Sequence, residues 1–322
     1  MTFPRPHLLA VLALPFVLAF SQAAPPITAL AVNADGSILA VGRPRSLELF
    51  RPGSSEQART YPLPLPKVTC LAFQSGGQRL WVAGGTPGES GLVLALDLPG
   101  LAEARRIPVD RDLVQAVAPS PDNRWIAWSD GTDLRLESLI SDQAAPLPHS
   151  LLRGHSARVL GIAWVPDASL FTTVAADRTV KVWTTTQTTP LRTFSQHTET
   201  PNAVAFQPGA PVPTCATGGD DRTMRVWQPG LGRMVRIVRD HDAAILALAY
   251  APDGRQIYTA DAAGRVRRID AGSDQVLGSW RASEDWIHAL AVHPGNEWIA
   301  TGDAAGKLRL WTSEGTEIPV PH

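Results

Sequence analysis

The sequence predicts an all-β protein, a seven-bladed β-propeller of four-stranded blades closed into one ring, on three observations. A short apolar stretch of the form aliphatic-Ala-apolar recurs seven times, its central residue falling at Leu30, Leu71, Val117, Ile162, Val204, Leu248 and Leu290. The spacings are 41, 46, 45, 42, 44 and 42 residues, the length of a four-stranded blade. Helical periodicity is absent after residue 23.

Each element of the repeat has its own warrant. The residue after the central aliphatic is Ala in all seven copies, from Ala31 and Ala72 to Ala249 and Ala291. A small residue held at one pleat position predicts a crowded innermost strand, where a larger side chain would overpack. Turn-forming residues follow, most legibly Ala34-Asp35-Gly36, Pro121-Asp122-Asn123, Pro252-Asp253-Gly254 and Pro294-Gly295-Asn296. A second strand comes next, then a polar or glycine-bearing turn, then a third strand with period-two alternation: Leu47 to Phe50, Thr179 to Trp183, Thr223 to Trp227, Lys307 to Trp311. A variable fourth strand completes the unit, as in Leu191 to Phe194 and Met234 to Val238. One such unit is too small to stand alone, and radial closure hides its edges. Tandem sandwiches would need two separate cores and would not explain one uniform period. The blades are expected at 26–66, 67–112, 113–157, 158–199, 200–243, 244–285 and 286–322. Beyond residue 23 the chain opens almost directly in an inner strand, Ile27 to Val32, so the last blade is expected to take its outer strand from Glu317 to Pro321.

Two repeats carry a more specific pattern: Gly154-His155, Thr173, Asp177 and Trp183, then His197, Thr217, Asp221 and Trp227. In both, Asp precedes Trp by six residues and Thr precedes Asp by four. This resembles the WD40-repeat family, in which a buried His, Ser or Thr, Asp and Trp form a hydrogen-bonded tetrad within a blade. The resemblance spans nearly the whole chain in period and strands, and about a third of it in complete tetrads. It implies a structural role for the tetrads, since buried imidazole, hydroxyl, carboxylate and indole satisfy one another. The sixth repeat keeps His241 and Thr259 but has Ala263 and Ile269 in the Asp and Trp places. The seventh keeps Thr301 and Trp311, with Ser283 for His and Ala305 for Asp.

Residues 1–23 read as an address. Arg5 and His7 precede an apolar run, Leu8 to Phe20, which is short for a membrane span and contains Pro15, and Ser21-Gln22-Ala23 offers a cleavage site. A signal peptide at 1–23 places the propeller, 24–322, in an exported compartment, a bacterial periplasm by this reading. Cys70 and Cys215 are too few for a disulfide framework and read as free thiols in strands. With a net charge of -1, neither nucleic acid nor an anionic membrane is an expected partner.

The residues supply no enzyme mechanism. Gly84-Gly85 and Gly218-Gly219 lack the Lys-Ser/Thr of a phosphate loop, and no Gly-x-Ser-x-Gly elbow occurs. His288 and His293 lie near the last inner strand and would need a third ligand to hold a metal. No catalytic residue, metal or cofactor is assigned. In the resembled family, partners dock on the face formed by the loops leading into the inner strands and those linking second to third strands. The residues just before the inner strands are Pro26, Lys67, Leu113, Arg158, Thr200, Ala244 and Trp286. The expected docking face comprises Trp286, flanked by Glu284 and Asp285, with Lys67, Arg158 and Arg222. Trp286 is either an interface anchor or a residue packed between blades. The expectation is a noncatalytic scaffold, monomeric on its own, that binds another protein. The alternative is a propeller enzyme or electron-transfer subunit with its site in the central channel.

Overall fold

Seven antiparallel sheets of four strands follow one another along the chain, each ordered from its first strand to its fourth. The structure is a computed structural model describing residues 24–54, 57–140 and 149–320. The expected leader, 1–23, lies outside the described residues, as does Pro321. The inner strands are Ala29–Val32, Lys67–Phe73, Val117–Pro119, Val159–Trp164, Pro201–Phe206, Ile245–Tyr250 and Ile287–Val292. Each packs against its neighbours in order, and the seventh packs against the first, which closes the ring. Among the described residues no α-helix occurs, only a 3-10 turn at Pro229–Leu231.

The seams between blades repeat one device. Ile27, Val68, Val114, Val159, Ile245 and Ile287, at or just before the start of an inner strand, are 0% exposed, and Pro201 is buried in the same place in blade 5. Each plugs the gap beside the second strand of the preceding blade. The fit is tight where that strand offers glycine. A Cβ on Gly42 would come within 2.7 Å of Val68, one on Gly218 within 2.5 Å of Ile245, and one on Gly302 within 2.2 Å of Ile27. Gly302 belongs to blade 7 and Ile27 to blade 1, so the closing seam has the same chemistry as the others. Burying one such side chain contributes about 1.5–3 kcal/mol.

The residue after the plug is bulged out of the ladder in five blades, at Thr69, Leu160, Asn202, Leu246 and His288. Some of these positions tie neighbouring blades together. The Thr69 hydroxyl donates to the Val114 carbonyl, and Asn202 Nδ2 donates to the Ile245 carbonyl at 3.1 Å. Thr28, at the matching place in blade 1, donates to Val68. Both cysteines are free thiols, and burial pushes their pKa values up. In the last blade the outer strand is Glu317–Ile318, shorter than the expected Glu317 to Pro321. Proline at 319 has no N–H to extend the ladder.

The predicted tetrads are hydrogen-bonded units. In blade 4, His155 Nδ1 lies 2.9 Å from Asp177, His155 Nε2 lies 2.7 Å from the Thr173 hydroxyl, and Trp183 Nε1 donates to that hydroxyl at 2.8 Å. Blade 5 repeats this with His197, Asp221, Thr217 and Trp227 at 2.8 Å for each of the three contacts. The Asp177 carboxyl is raised by burial, but hydrogen bonds from Thr179 and Ser156 and the nearby His155 outweigh this and hold it below the usual range. Its other oxygen caps the Thr179 N–H at 3.0 Å, and Asp221 caps Thr223 likewise at 3.1 Å.

Blades 6 and 7 reach the same end from another position. Asp261 and Asp303, two residues earlier on the second strand than the expected site, cap the Arg265 and Lys307 N–H groups at 2.9 and 2.7 Å. Each then pairs with an arginine on the third strand, Asp261 with Arg267 at 2.7 Å and Asp303 with Arg309 at 3.1 Å. Ser283, in the His place of blade 7, donates to Asp303 at 2.6 Å. In blade 6, His241 Nε2 keeps its contact with Thr259 at 2.8 Å, but the buried Nδ1 has no partner.

Two outcomes follow from these buried groups. Asp177→Ala leaves the Ser156 and Thr179 N–H groups without their carboxylate and His155 Nδ1 with only the Thr179 hydroxyl at 3.2 Å, and should cost about 2 kcal/mol, read as a lowered denaturation midpoint at unchanged slope. Burial, then the Arg267 charge, lowers the His241 pKa from 6.5 to about 4. The unfolded chain takes up this proton first, so the stabilisation is complete above pH 6.5 and is lost as pH falls from 6.5 towards 4. Urea titrations across that range should show a loss of roughly 3 kcal/mol attributable to this ring, and His241→Gln should flatten the slope there.

Candidate functional site

One end of the ring gathers the loops leading into the inner strands and the turns joining second to third strands. All six expected docking residues lie at this end, here called the upper face. The structure divides them into two groups. Glu284, Asp285 and Trp286 lead into the blade 7 strand, with Lys67 at the start of the blade 2 strand across blade 1. Arg158 and Arg222 belong to blades 4 and 5, on the other side of the ring.

Trp286 is 54% exposed, so it is not packed between blades. Its backbone is nonetheless fixed: its N–H donates to Asp285 at 2.8 Å, and its carbonyl accepts from Ala304 at 2.9 Å. The indole meets the His288 ring edge-on at 6.0 Å between centroids. His288 is the bulged residue of that strand and is only partly buried. Burial, then the charge of Lys67, lowers its pKa, which favours a neutral ring beside the indole. Glu284 pairs with Arg281 at 2.7 Å in an exposed ion pair, so its contribution to stability is small. An exposed aromatic on a rigid stem has little further entropy to lose on binding.

The other group is differently organised. Arg158 is held by Asp112 at 2.9 Å, and Asp112 also caps the N–H groups of Gly88 and Leu113 at 2.9 and 2.8 Å. That carboxylate clamps together loops of blades 2, 3 and 4, and Arg158 is partly spent in the clamp. Burial raises the Asp112 pKa, but the two N–H groups and Arg158 outweigh it and leave the group low. Arg222 is exposed at φ 57° at the apex of the turn that Asp221 caps, where blades 6 and 7 use Gly264 and Gly306. It has no ion pair among the described residues. Leu113, one of the seven residues before the inner strands, is only 2% exposed and adds nothing to the surface.

Sequence reasoning missed His288 and Asp112 as parts of this face. The bulge that turns His288 towards Trp286 has no sequence signature beyond its fixed offset, two residues before the central aliphatic Leu290. Elsewhere, a cleft of about 740 Å³ separates the outer strands of blades 2 and 3. Its charges are largely paired, Arg135 with Asp130 at 2.9 Å and Arg105 with Glu137. Among the described residues no group of three His, Cys, Asp or Glu is placed to hold a metal ion, and no helix is long and apolar enough to cross a membrane.

Comparison with known proteins agrees with this architecture. The family model for the WD domain, G-beta repeat, matches residues 147–184, 188–228, 232–270 and 274–312. Each match begins near the outer strand of one blade and ends with the third strand of the next, so the repeats straddle the seams. The chain is 31% identical over 184 residues to transcription initiation factor TFIID subunit 5 of Caenorhabditis elegans, which covers 57% of this chain and 27% of that protein. It is 29% identical over 104 residues to coatomer subunit beta'-1 of Arabidopsis thaliana, 32% of this chain and 11% of that protein. Against protein HIR1 of Eremothecium gossypii the identity is 26% over 169 residues, 45% of this chain and 20% of that one. The chain therefore spans about a quarter or less of the length of these relatives. The chain is thus a β-propeller of seven four-stranded blades that carries four WD40 repeats, matched from the outer strand of blade 3 to the third strand of blade 7.

Proposed function

We propose that this chain is a noncatalytic platform that docks another protein on its upper face, with Trp286 as the anchor. The observation that carries the reading is the large aromatic left 54% exposed on a backbone fixed at both its N–H and its carbonyl. Trp is the side chain that most often dominates binding energy at protein interfaces. Relatives named as subunits of a transcription factor and of coatomer support an assembly role. The apolar run Leu8 to Phe20 and the small residues before Ala24 support an exported platform.

Two experiments test this. With the chain as bait, a protein recovered in stoichiometric yield should be lost at least ~10-fold on Trp286→Ala, equivalent to about 1.4 kcal/mol, while the melting curve stays in place. Recovery unaffected by the substitution refutes the anchor, and a lowered melting temperature assigns Trp286 to packing instead. Export is checked by expressing the full chain and sequencing the N-terminus of the secreted fraction, which should begin at Ala24. A product confined to the cytosol with residues 1–23 intact refutes it.

A further inference from the structure

The opposite end of the ring, formed by the loops joining first to second and third to fourth strands, carries a feature that the upper-face reading does not use. Among the described residues seven large apolar side chains are exposed, and four of them, Leu191, Val212, Leu231 and Val235, lie on blades 4 and 5. Leu191 is in the loop before the outer strand of blade 4, Val212 in the first loop of blade 5, and Leu231 in the 3-10 turn before its outer strand. Leu231 is the most exposed of the seven, at 59%. Val235 is exposed because the blade 5 outer strand, Arg233–Val238, is bulged there.

The segments that carry these side chains have charges of one sign, and carboxylates enter in the adjoining loops, as at Asp167 in blade 4 and Asp253 and Asp274 in blade 6. Arg192 reaches from blade 4 to the Gly230 carbonyl at 3.3 Å, which joins the two blades' surfaces into one patch. Arg233 donates to Gln228 at 2.6 Å, and Arg236 donates to the Ala271, Gly272 and Ser273 carbonyls at 2.6 to 2.9 Å. None of the three has a carboxylate partner among the described residues. The segments 185–198, 207–214 and 228–238 contain no Asp or Glu at all. On or beside other outer strands, three arginines are paired with carboxylates: Arg106 with Glu103, Arg153 with Asp133, Arg281 with Glu284. Clustered apolar side chains on a folded surface mark an interaction site, whereas scattered ones do not.

We propose that the lower edge of blades 4 and 5 is a second docking surface, for a protein segment that alternates carboxylate and aliphatic side chains. The carboxylates would meet Arg192, Arg233 and Arg236, which can receive them bidentately, and the aliphatic groups would cover Leu191, Leu231 and Val235. A nucleic acid would satisfy the cations but leave the aliphatic side chains uncovered, and no aromatic platform for bases is present in the patch. The bulge at Val235 interrupts the strand edge, so recognition runs through side chains rather than through strand addition.

The test uses a short fluorescein-labelled peptide alternating Glu and Leu, a Lys-Leu peptide of the same length and a single-stranded oligodeoxynucleotide, with fluorescence anisotropy on the intact protein. The Glu-Leu peptide should bind best, more weakly as salt is raised. Its affinity should fall at least ~10-fold in Arg192→Glu/Arg233→Glu and in Leu231→Ser, with Trp286→Ala unchanged. Arg233→Gln serves as the milder variant should the double charge reversal fail to fold. No binding of the Glu-Leu peptide, equal binding of either control probe, or a loss confined to Trp286→Ala overturns the proposal. Because the lower surface is read with a synthetic probe, its failure leaves the Trp286 result standing, and the reverse.

Discussion

Every seam of the ring depends on one steric condition: the second strand of each blade must leave room for the apolar side chain, branched in six blades and Pro201 in the fifth, that opens the inner strand of the next. Where the strand presents Gly42, Gly218 or Gly302, the space left is smaller than a methyl group. The neighbouring side chain occupies it from the other side of the seam. A propeller blade cannot bury both its faces alone, so seven repetitions of this fit do what a central core does elsewhere. The condition also explains why the ring closes without borrowing a strand from another part of the chain. Ile27 meets Gly302 as Ile245 meets Gly218, and the first and last blades join through an ordinary seam.

With the seams set, the remaining difficulty is polar. The turn between second and third strands brings backbone N–H groups to a place that is only partly wet, and each of blades 4 to 7 answers with a carboxylate. In blades 4 and 5 that carboxylate, Asp177 or Asp221, also holds a histidine, which in turn holds a threonine and a tryptophan. In blades 6 and 7 it comes from two residues earlier and recruits an arginine instead. Burying Asp261 is tolerable because Arg267 and two backbone N–H groups compensate its charge. His241 then has no acceptor for Nδ1 and is held neutral by burial and by that same arginine. The two solutions share a purpose, since both fix the turns from which the upper face is built.

What was legible in the sequence follows from which constraints are local in the chain. The seven-fold period and the Ala beside each central aliphatic belong to the inner strands, one per blade, so they recur at near-constant spacing and could be counted. The tetrads of blades 4 and 5 were legible because their four members fall at constant intervals. Asp261 and Asp303 were passed over since the expected position holds alanine. The signal that would have found them is a Thr-x-Asp followed six residues later by Arg, present as Thr259-Ala260-Asp261 with Arg267 and as Thr301-Gly302-Asp303 with Arg309. Trp286 could be placed on a face but not weighed, because exposure depends on how His288 is bulged beneath it. The patch on blades 4 and 5 was hidden altogether. Leu191, Leu231 and Val235 read as ordinary members of alternating strands and loops, and only the bulge and the blade-to-blade reach of Arg192 bring them out together.

The two surfaces differ in how they are supported, and that difference bears on what each can do. Turns on the upper face are capped by buried carboxylates, so Trp286 and Arg222 project from backbone that moves little, which suits recognition of a preformed partner. On the lower edge of blades 4 and 5 the arginines are held mainly by carbonyl and amide oxygens, which orient the guanidinium groups without neutralising them. Such groups keep most of their charge available to an incoming carboxylate, while the aliphatic side chains beside them impose little shape. A surface of that kind suits an extended or flexible segment better than a folded domain. Blade 5 carries both, Arg222 at one end of its strands and Leu231 at the other, with a five-residue strand, Met224–Gln228, between them. At about 3.3 Å per residue that is roughly 17 Å of sheet, enough to keep the two proposed docking surfaces from sharing the same ground.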